Sequence, residues 1–252
     1  MKVSVLILMY NRFSVSSARI PAIIDNIGNV KSEVLIWDNH STDGSYDWAL
    51  EYGRADCRVY KVFGADQNYG VEAINFLAEA ARGEYILKVD DDASVPKNFA
   101  ERMVAAYEYC SCDKLAYLGW DMIWGKSTFA TRSGEGLYRK HGEIRKLPGG
   151  GRVLLLRCLD RFMVNGVCRL SKRDRFLELG GHPKGVVYGV DGIVCATAHA
   201  KGYWGGYVTH PIDLVKHDGA QDSVEMRALK DRQLQRLKSA RNRAVKAVEA
   251  TK

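Results

Sequence analysis

What this chain lacks removes several protein classes before any motif is read. Its 252 residues include only 5 prolines, and with 24 glycines, 46% hydrophobic and 27% charged residues the composition is that of an ordinary globular protein. A chain of this length suits one sizeable domain with a substantial core. The six cysteines, at 57, 110, 112, 158, 168 and 195, contain no Cys-x-x-Cys pair and have no histidine at zinc-finger spacing. Cys110-Ser111-Cys112 alone is a weak soft-metal signal, so reduced and mostly buried thiols are expected. No stretch approaches the roughly 20 apolar residues needed to cross a bilayer. Val3–Met9 is too short for a signal-peptide core and runs on into structured sequence. A cytoplasmic protein is therefore expected, with peripheral membrane attachment as its one route to a bilayer. Acidic residues are sparse only at one end. Residues 221–252 carry nine Lys/Arg against four Asp/Glu, a net of +5, whereas the first 220 residues contribute +2 of the total +7. Apolar positions at Met226, Leu229, Leu234, Leu237, Ala240, Ala244 and Val248 give this tail the spacing of an amphipathic helix with a basic face. It has no aromatic residue to stack on a base.

What is present is an alternation of strand-like and helix-like segments, which argues for βαβ units and a largely parallel sheet. Lys2–Met9 is a continuous apolar run suited to a central strand. Ser16–Asn29 reads as helix with Pro21 near its start, and Glu33–Trp37 as a second strand ending at Asp38-Asn39. Ser45–Tyr52 reads as helix and Cys57–Phe63 as strand. Val71–Arg82 has an Ala/Leu/Ile helical face stopped by Gly83. Pro96–Tyr109 resumes helical spacing and Leu115–Trp120 returns to strand. Trp124–Gly151, rich in glycine and charge and poor in periodicity, reads as a long irregular or hairpin-bearing segment. Arg152–Leu156 and Phe162–Leu170 are strand candidates. Lys172–Leu179 is a short helix ended by Gly180-Gly181, and Asp191–Lys201 is the last helix before the tail.

The run Tyr85-Ile86-Leu87-Lys88-Val89 delivers Asp90-Asp91-Asp92 just past its last apolar residue. Open α/β sheets bind ligands at the carboxyl ends of their strands, so these carboxylates are expected at a ligand edge. Adjacent carboxylates repel unless something cationic lies between them. A hard divalent ion, Mg²⁺ or Mn²⁺, shared with substrate phosphates is the simplest remedy. A solvated acidic turn closed by Pro96 is the other reading. Asp38 ends the second strand at the same edge, where a carboxylate can accept from a base imide N–H. Asp43-Gly44-Ser45 reads as a turn feeding a helix N-cap, so Asp43 is expected to be structural.

Four segments stand in order: Val5-Leu6-Ile7-Leu8-Met9-Tyr10-Asn11-Arg12, then Val34-Leu35-Ile36-Trp37-Asp38-Asn39-His40-Ser41-Thr42-Asp43-Gly44-Ser45, then Asn68-Tyr69-Gly70 with Asn75, then Gly83-Glu84-Tyr85-Ile86 leading into the acidic triplet. Together they resemble the nucleotide-sugar half of the family 2 glycosyltransferases. The resemblance implies the GT-A fold, an α/β, Rossmann-like architecture whose mostly parallel central sheet has helices on both faces. It implies residues 1–220 as the transferase domain, with 1–96 for the nucleotide sugar and 97–220 for the acceptor, followed by the tail 221–252. It further implies a metal-dependent, inverting transfer from a nucleotide-sugar donor, a UDP-sugar by preference, with Mn²⁺ or Mg²⁺ as cofactor. Donor contacts are expected from Tyr10, Asn11, Arg12, Asp38, Asn68, Asp90 and Asp91, with Asp38 on a uracil-like base and Asp90 on ribose or sugar hydroxyls. Asp92 is the expected metal ligand, and Asp91 the member of the triplet that best tolerates Asn. Ile74 stands where the family often has Arg.

The second half resembles the family more loosely, through Asn165-Gly166-Val167-Cys168-Arg169, Arg173–His182, Tyr188-Gly189-Val190-Asp191 and Ala200-Lys201-Gly202-Tyr203. Asp191 aligns with the catalytic Asp of the family's Gly-Glu-Asp segment, where Val190 replaces the Glu. An inverting transfer needs a carboxylate that removes the acceptor's proton, and Asp191 is the expected base, with a helix N-cap as the competing role. His217 lies where relatives place a metal- or diphosphate-binding histidine. Gly181, His182 and Trp120 are expected on the acceptor side. The missing Gln-x-x-Arg-Trp motif argues against a processive polysaccharide synthase. The expected acceptor is a glycan, lipid-linked or protein hydroxyl, with the tail packing on the body, on an anionic membrane or in a homo-oligomer. Hydroxymethylated DNA bases, with the tail on phosphates, are the alternative. A non-catalytic sugar-nucleotide-binding module is a rival. So is a haloacid-dehalogenase-type phosphatase, which shares Asp90-x-Asp92-x-Ser94 but lacks here a downstream Lys with an acidic pair.

Overall fold

Apolar, β-branched runs build the strands, and each parallel strand ends where a polar residue reaches one common edge. The computed structural model describes residues 2–124, 127–128, 140–148, 150–157, 164–186, 189–210, 213–217, 228 and 231–232. Strand β1 (Val3–Met9) is buried on both faces, as a central parallel strand must be. Helix α1 (Phe13–Asp25), β2 (Ser32–Asp38), α2 (Ser45–Ala55) and β3 (Val59–Gly64) follow. A single 3₁₀ turn at Gly70–Glu72 leads into α3 (Ala73–Ala80), then β4 (Tyr85–Asp90), β5 (Ala93–Ser94), α4 (Phe99–Cys110) and β6 (Leu115–Trp120). The later elements are β7 (Ile123–Trp124), β8 (Ser127–Thr128), β9 (Gly142–Lys146), β10 (Arg152–Arg157) and β11 (Cys168–Lys172). Helix α5 (Arg173–Glu178), helix α6 (Val190–Ala200), β12 (Trp204–Thr209) and β13 (Lys216–His217) complete the series.

The main sheet has the order β3-β2-β1-β4-β11-β6-β12-β10-β9. Its first four strands are parallel, as the βα alternation predicts. Beyond them β11 runs antiparallel between β4 and β6, β12 is parallel to β6, and β10 and β9 form an antiparallel edge. The second half thus adds antiparallel pairings around β11, β10 and β9 to the parallel strands of the first. One core packs α1, α2 and α4 on one face, through residues such as Ile20, Ala49 and Met103. The other packs α3, α5 and α6 on the opposite face, through Ile74, Phe176 and Val194.

Several boundaries differ from the sequence reading, two of them for a long-range reason. Helix α1 begins at Phe13, three residues early, because the Asp43 carboxylate accepts the Phe13 N–H at 2.7 Å from thirty positions away. Pro21 consequently lies inside the helix rather than near its start. The helix expected to run to Arg82 stops at Ala80, and Arg82 donates its N–H to Glu33 at 2.7 Å. Helix α4 starts at Phe99 because Asn98 holds a left-handed backbone (φ 57°). Of the candidate strand from Phe162, residues 162 and 163 lie outside the described residues, and among the described ones the strand begins at Cys168. Cys110, Cys168 and Cys195 are buried free thiols, as expected, whereas Cys57 is exposed. The amphipathic tail lies almost wholly outside the described residues.

Glu33 ties the far end of the parallel strands together. It is buried and accepts from Ser4 Oγ at 2.6 Å and from the Arg82 guanidinium at 2.7 Å, while Ser4 Oγ also accepts the Gly83 N–H at 2.9 Å. Burial alone raises its pKa, but the hydrogen bonds from Ser4 and Arg82 outweigh burial and hold it below the usual carboxylate value. A depressed carboxylate contributes stability above its unfolded pKa and loses it as pH falls. Glu33→Gln is expected to cost about 1–3 kcal/mol at neutral pH. The gap between the two proteins should close on acidification past the ordinary glutamate range. Thermal melts across pH check this, and a constant gap would contradict it.

Candidate functional site

The carboxyl ends of β1, β2, β4, β6 and β12 share one edge, and the turns leaving them build the site. After β1, Asn11 takes a left-handed backbone (φ 48°), donates its N–H to Ser41 Oγ at 2.9 Å and accepts the Thr42 N–H on Oδ1 at 2.8 Å. It thereby staples the β1 turn to the β2 turn. Tyr10 beside it is half-buried. At the end of β2 the buried Asp38 accepts the Ser41 N–H on Oδ2 at 2.8 Å, while its Oδ1 has no hydrogen-bond partner among the described residues. That oxygen is a ready acceptor for a ligand N–H. Asn68 Oδ1 accepts from Asn39 Nδ2 at 2.7 Å and from the Gly70 N–H at 2.8 Å. The carbonyl oxygens of Asn11 and Asn68 are thus committed to shaping loops, a role their sequence positions did not reveal.

The acidic triplet separates by strand alternation. Ile86, Lys88 and Asp90 belong to the face covered by α3 and α6, and the Lys88 ammonium lies against the Asp90 carboxylate. Asp91 turns the other way, into the body, where it accepts from Ser16 Oγ of α1 at 2.5 Å. Burial pushes its carboxyl up to about 6, partly opposed by Arg12 and the Ser16 hydroxyl. Asp91 is therefore buried with its oxygens met by Ser16 and Arg12, which anchors α1 where a donor contact was expected of it. Asp92 is fully buried and accepts from Arg12 Nη1 at 2.9 Å. The cations placed against the triplet are thus the protein's own Arg12 and Lys88. The backbone of His217 pairs with Ala93, immediately after Asp92, so the fold brings that histidine position to the turn. Asp91→Asn should preserve donor affinity within about two-fold, because an amide oxygen can still accept from Ser16. Titration of nucleotide sugar against the variant checks this, and a large loss would place Asp91 in the binding site after all.

On the opposite side of the edge, Asp191 occupies the first turn of α6, with Gly189 rather than Asp191 at the cap position. It accepts the Gly166 N–H on Oδ2 at 2.8 Å and Arg169 Nη1 on Oδ1 at 3.0 Å, and its side chain stays 31% exposed. Trp120, expected beside the acceptor, is fully buried, donates Nε1–H to the Asp213 carbonyl at 2.7 Å and lies under Arg102. His182, likewise expected there, is only 3% exposed and faces Arg169. Both support the site from within, since neither reaches solvent. Gly181 has φ 63° and abuts the Asn75 side chain, leaving no space for a Cβ. Ile74 is fully buried in the α3 core, so α3 offers no cation at that position. Two residues escaped the sequence reading: Lys88 and Arg169, charges flanked by apolar neighbours within their strands and directly opposite one another across β4 and β11. A lone charge within an apolar strand is the signal that marks them.

The family profile described as "Glycosyl transferase family 2" matches residues 4–147, more than half of the chain. The chain belongs to this family. It is 36% identical over 108 residues to EpsH of Bacillus subtilis (strain 168), a protein named as a glycosyltransferase; the match covers 40% of this chain and 29% of EpsH. Among solved structures, the mannosyltransferase PcManGT from Pyrobaculum calidifontis, in complex with GDP-Man and Mn²⁺, superposes with a TM-score of 0.63 at 18% identity. That superposition covers 90% of this chain and 59% of PcManGT. S. aureus TarS 1-349, in complex with UDP-GlcNAc, gives a TM-score of 0.63 at 16% identity over 86% of this chain and 58% of that one. The expected GT-A fold is thus shown, and the family 2 chain spans well under two thirds of each of these relatives. Among its described residues no helix is long and apolar enough to cross a membrane.

Proposed function

We propose that this protein transfers a sugar, with inversion, from a nucleoside diphosphate donor to a hydroxyl acceptor. One observation carries the reading: the β4–β11 pairing joins the donor-side carboxylate Asp90 to the acceptor-side carboxylate Asp191 through the facing residues Lys88 and Arg169. A double site of this kind is what a transfer between two bound substrates requires. Asp38 Oδ1 accepts from the base, and Asp90 binds ribose or sugar hydroxyls. Arg12 and Lys88 offset negative charge around the diphosphate. Asp191, partly open to solvent, takes the acceptor's proton as its oxygen attacks the anomeric carbon opposite the leaving diphosphate.

The residues fit a hard divalent ion. Asp92 and Asp90 supply hard oxygen donors on a turn that already attracts a cation, and His217 stands next in register. Among the described residues no three His, Cys, Asp or Glu form a complete cage. Mg²⁺ and Mn²⁺ favour such open sites, with water and phosphate completing the shell. When bound there, the ion would stabilise charge on the departing diphosphate as a Lewis acid. Mn²⁺ in the PcManGT complex and UDP-GlcNAc in the TarS complex support a metal and a UDP-sugar.

Nucleotide sugars, each with and without Mn²⁺ or Mg²⁺, provide the test. A true donor at a hundred times its Kd should add about 2.7 kcal/mol to stability and raise the melting temperature accordingly. Release of free nucleoside diphosphate with a sugar acceptor present should follow. Binding without transfer across acceptors would favour a non-catalytic module, and no shift with any donor would overturn the reading.

A further inference from the structure

Asp191 is gripped by side chains that sugar transfer does not itself call for. Arg169 is 3% exposed, inside β11, and its guanidinium donates to Asp191 Oδ1 at 3.0 Å, to the Val164 carbonyl at 3.3 Å and to His182 Nε2 at 2.8 Å. A guanidinium can only donate, so His182 Nε2 presents its lone pair and the ring proton sits on Nδ1. That proton meets the Val71 carbonyl at 3.2 Å. Burial, reinforced by the charges of Arg169 and Lys88, holds His182 well below the usual histidine range, so the ring is neutral. The histidine backbone is clamped in turn. Asn75 Oδ1 accepts the His182 N–H at 2.7 Å and Asn75 Nδ2 donates to its carbonyl at 2.9 Å.

Among the described residues Asp191 is the one carboxylate paired with the guanidinium. Tyr117 from β6 lies beneath it at 5.0 Å, and Tyr207 from β12 and Cys195 from α6, a thiol whose pKa burial pushes up, act on it from the other elements. Lys88 from β4 stands on the His182 side. A buried cation of this kind is stabilised only when its geometry is well met, and here the fork is met on one arm by His182 and on the other by Asp191. A planar fork fixes the orientation of a carboxylate as well as compensating its charge. With Gly166 N–H on the second oxygen, both carboxylate oxygens of Asp191 are held by donors while its side chain stays partly exposed.

We propose that Arg169, oriented by His182, is the positioning residue that aims the Asp191 carboxylate at the acceptor hydroxyl. The inference rests on Asp191 being the base, and the two can fail separately. Arg169→Met should lower kcat by about ten- to a hundred-fold with donor KM unchanged. Arg169→Lys keeps the charge, but one ammonium cannot hold both partners, and kcat should still fall with donor KM unchanged. His182→Gln, whose amide oxygen accepts as Nε2 does, should recover most of the rate that His182→Leu loses.

A purely structural arginine would lower the melting temperature and weaken donor KM together with kcat, and that outcome overturns the inference. So does an unchanged kcat in Arg169→Met. If that variant fails to fold, Arg169→Lys and the His182 pair decide: equal rates for Gln and Leu at 182 would overturn the inference as well. An active Asp191→Asn would refute the base instead. An inactive Asp191→Asn beside a normal Arg169→Met would refute only the positioning role.

Discussion

Asp191→Asn is expected to lower sugar transfer by about 10²–10⁴-fold while donor affinity is retained. The substitution keeps the shape and removes the proton acceptor. It also breaks the local hydrogen-bond logic. Oδ1 and Oδ2 both accept at present, from Arg169 and from the Gly166 N–H. An amide has one acceptor and one donor end, so either Arg169 or Gly166 then faces an N–H. Arg169 is the buried partner, and leaving its arm unmet is costly. The amide oxygen should therefore turn to Arg169 and the amide nitrogen toward Gly166. Single-turnover transfer beside a donor titration measures both halves of this expectation. A variant retaining more than about a tenth of the wild-type rate would exclude Asp191 as the base, since a general base contributes more than that.

The second large effect is expected from Gly166→Ala, a single methyl group added against the Asp191 carboxylate. A Cβ at Gly166 would lie 2.5 Å from Asp191 Oδ1 and 3.2 Å from its Cγ. Real Cβ atoms do not approach so closely, and the group able to yield is the end of the Asp191 side chain. The carboxylate is then pushed off its bonds to Gly166 and Arg169. A displacement near 1 Å at a reacting group can cost about a hundred-fold in rate. The backbone at Gly166 is not left-handed, so the fold itself tolerates alanine. Donor affinity and melting temperature should move little while kcat falls. Full activity in Gly166→Ala would mean that Asp191 is free to relocate, against both the base and its positioning.

Local residue pattern carries much of the fold and part of the site. The first βα units, the edge position of Asp38, the non-equivalence of the Asp90-Asp91-Asp92 carboxylates and the structural character of Asp43 all follow from it. Side-chain period and turn chemistry act over a few residues, and those rules read well from sequence. The boundary differences at Phe13 and Arg82 come from Asp43 and Glu33, partners thirty and forty-nine positions away, and the one at Phe99 from a left-handed backbone at Asn98. The family resemblance put Trp120 and His182 on the acceptor side without saying how deep they lie. Burial, which no local window reveals, makes them internal supports.

The sequence by itself determined the family, the parallel strands of the first half and the identity of the acidic groups, because each is a matter of residue type and short spacing. Only the tertiary structure decided what those groups meet. Strand β11, inserted antiparallel beside β4, sets Arg169 opposite Lys88 and so ties an aspartate at position 90 to one at position 191. It also turned Asp91 inward to Ser16 and supplied Arg12 where a metal alone had been expected to compensate the triplet. Charge compensation depends on which cation arrives in space, and spacing along the chain does not record that.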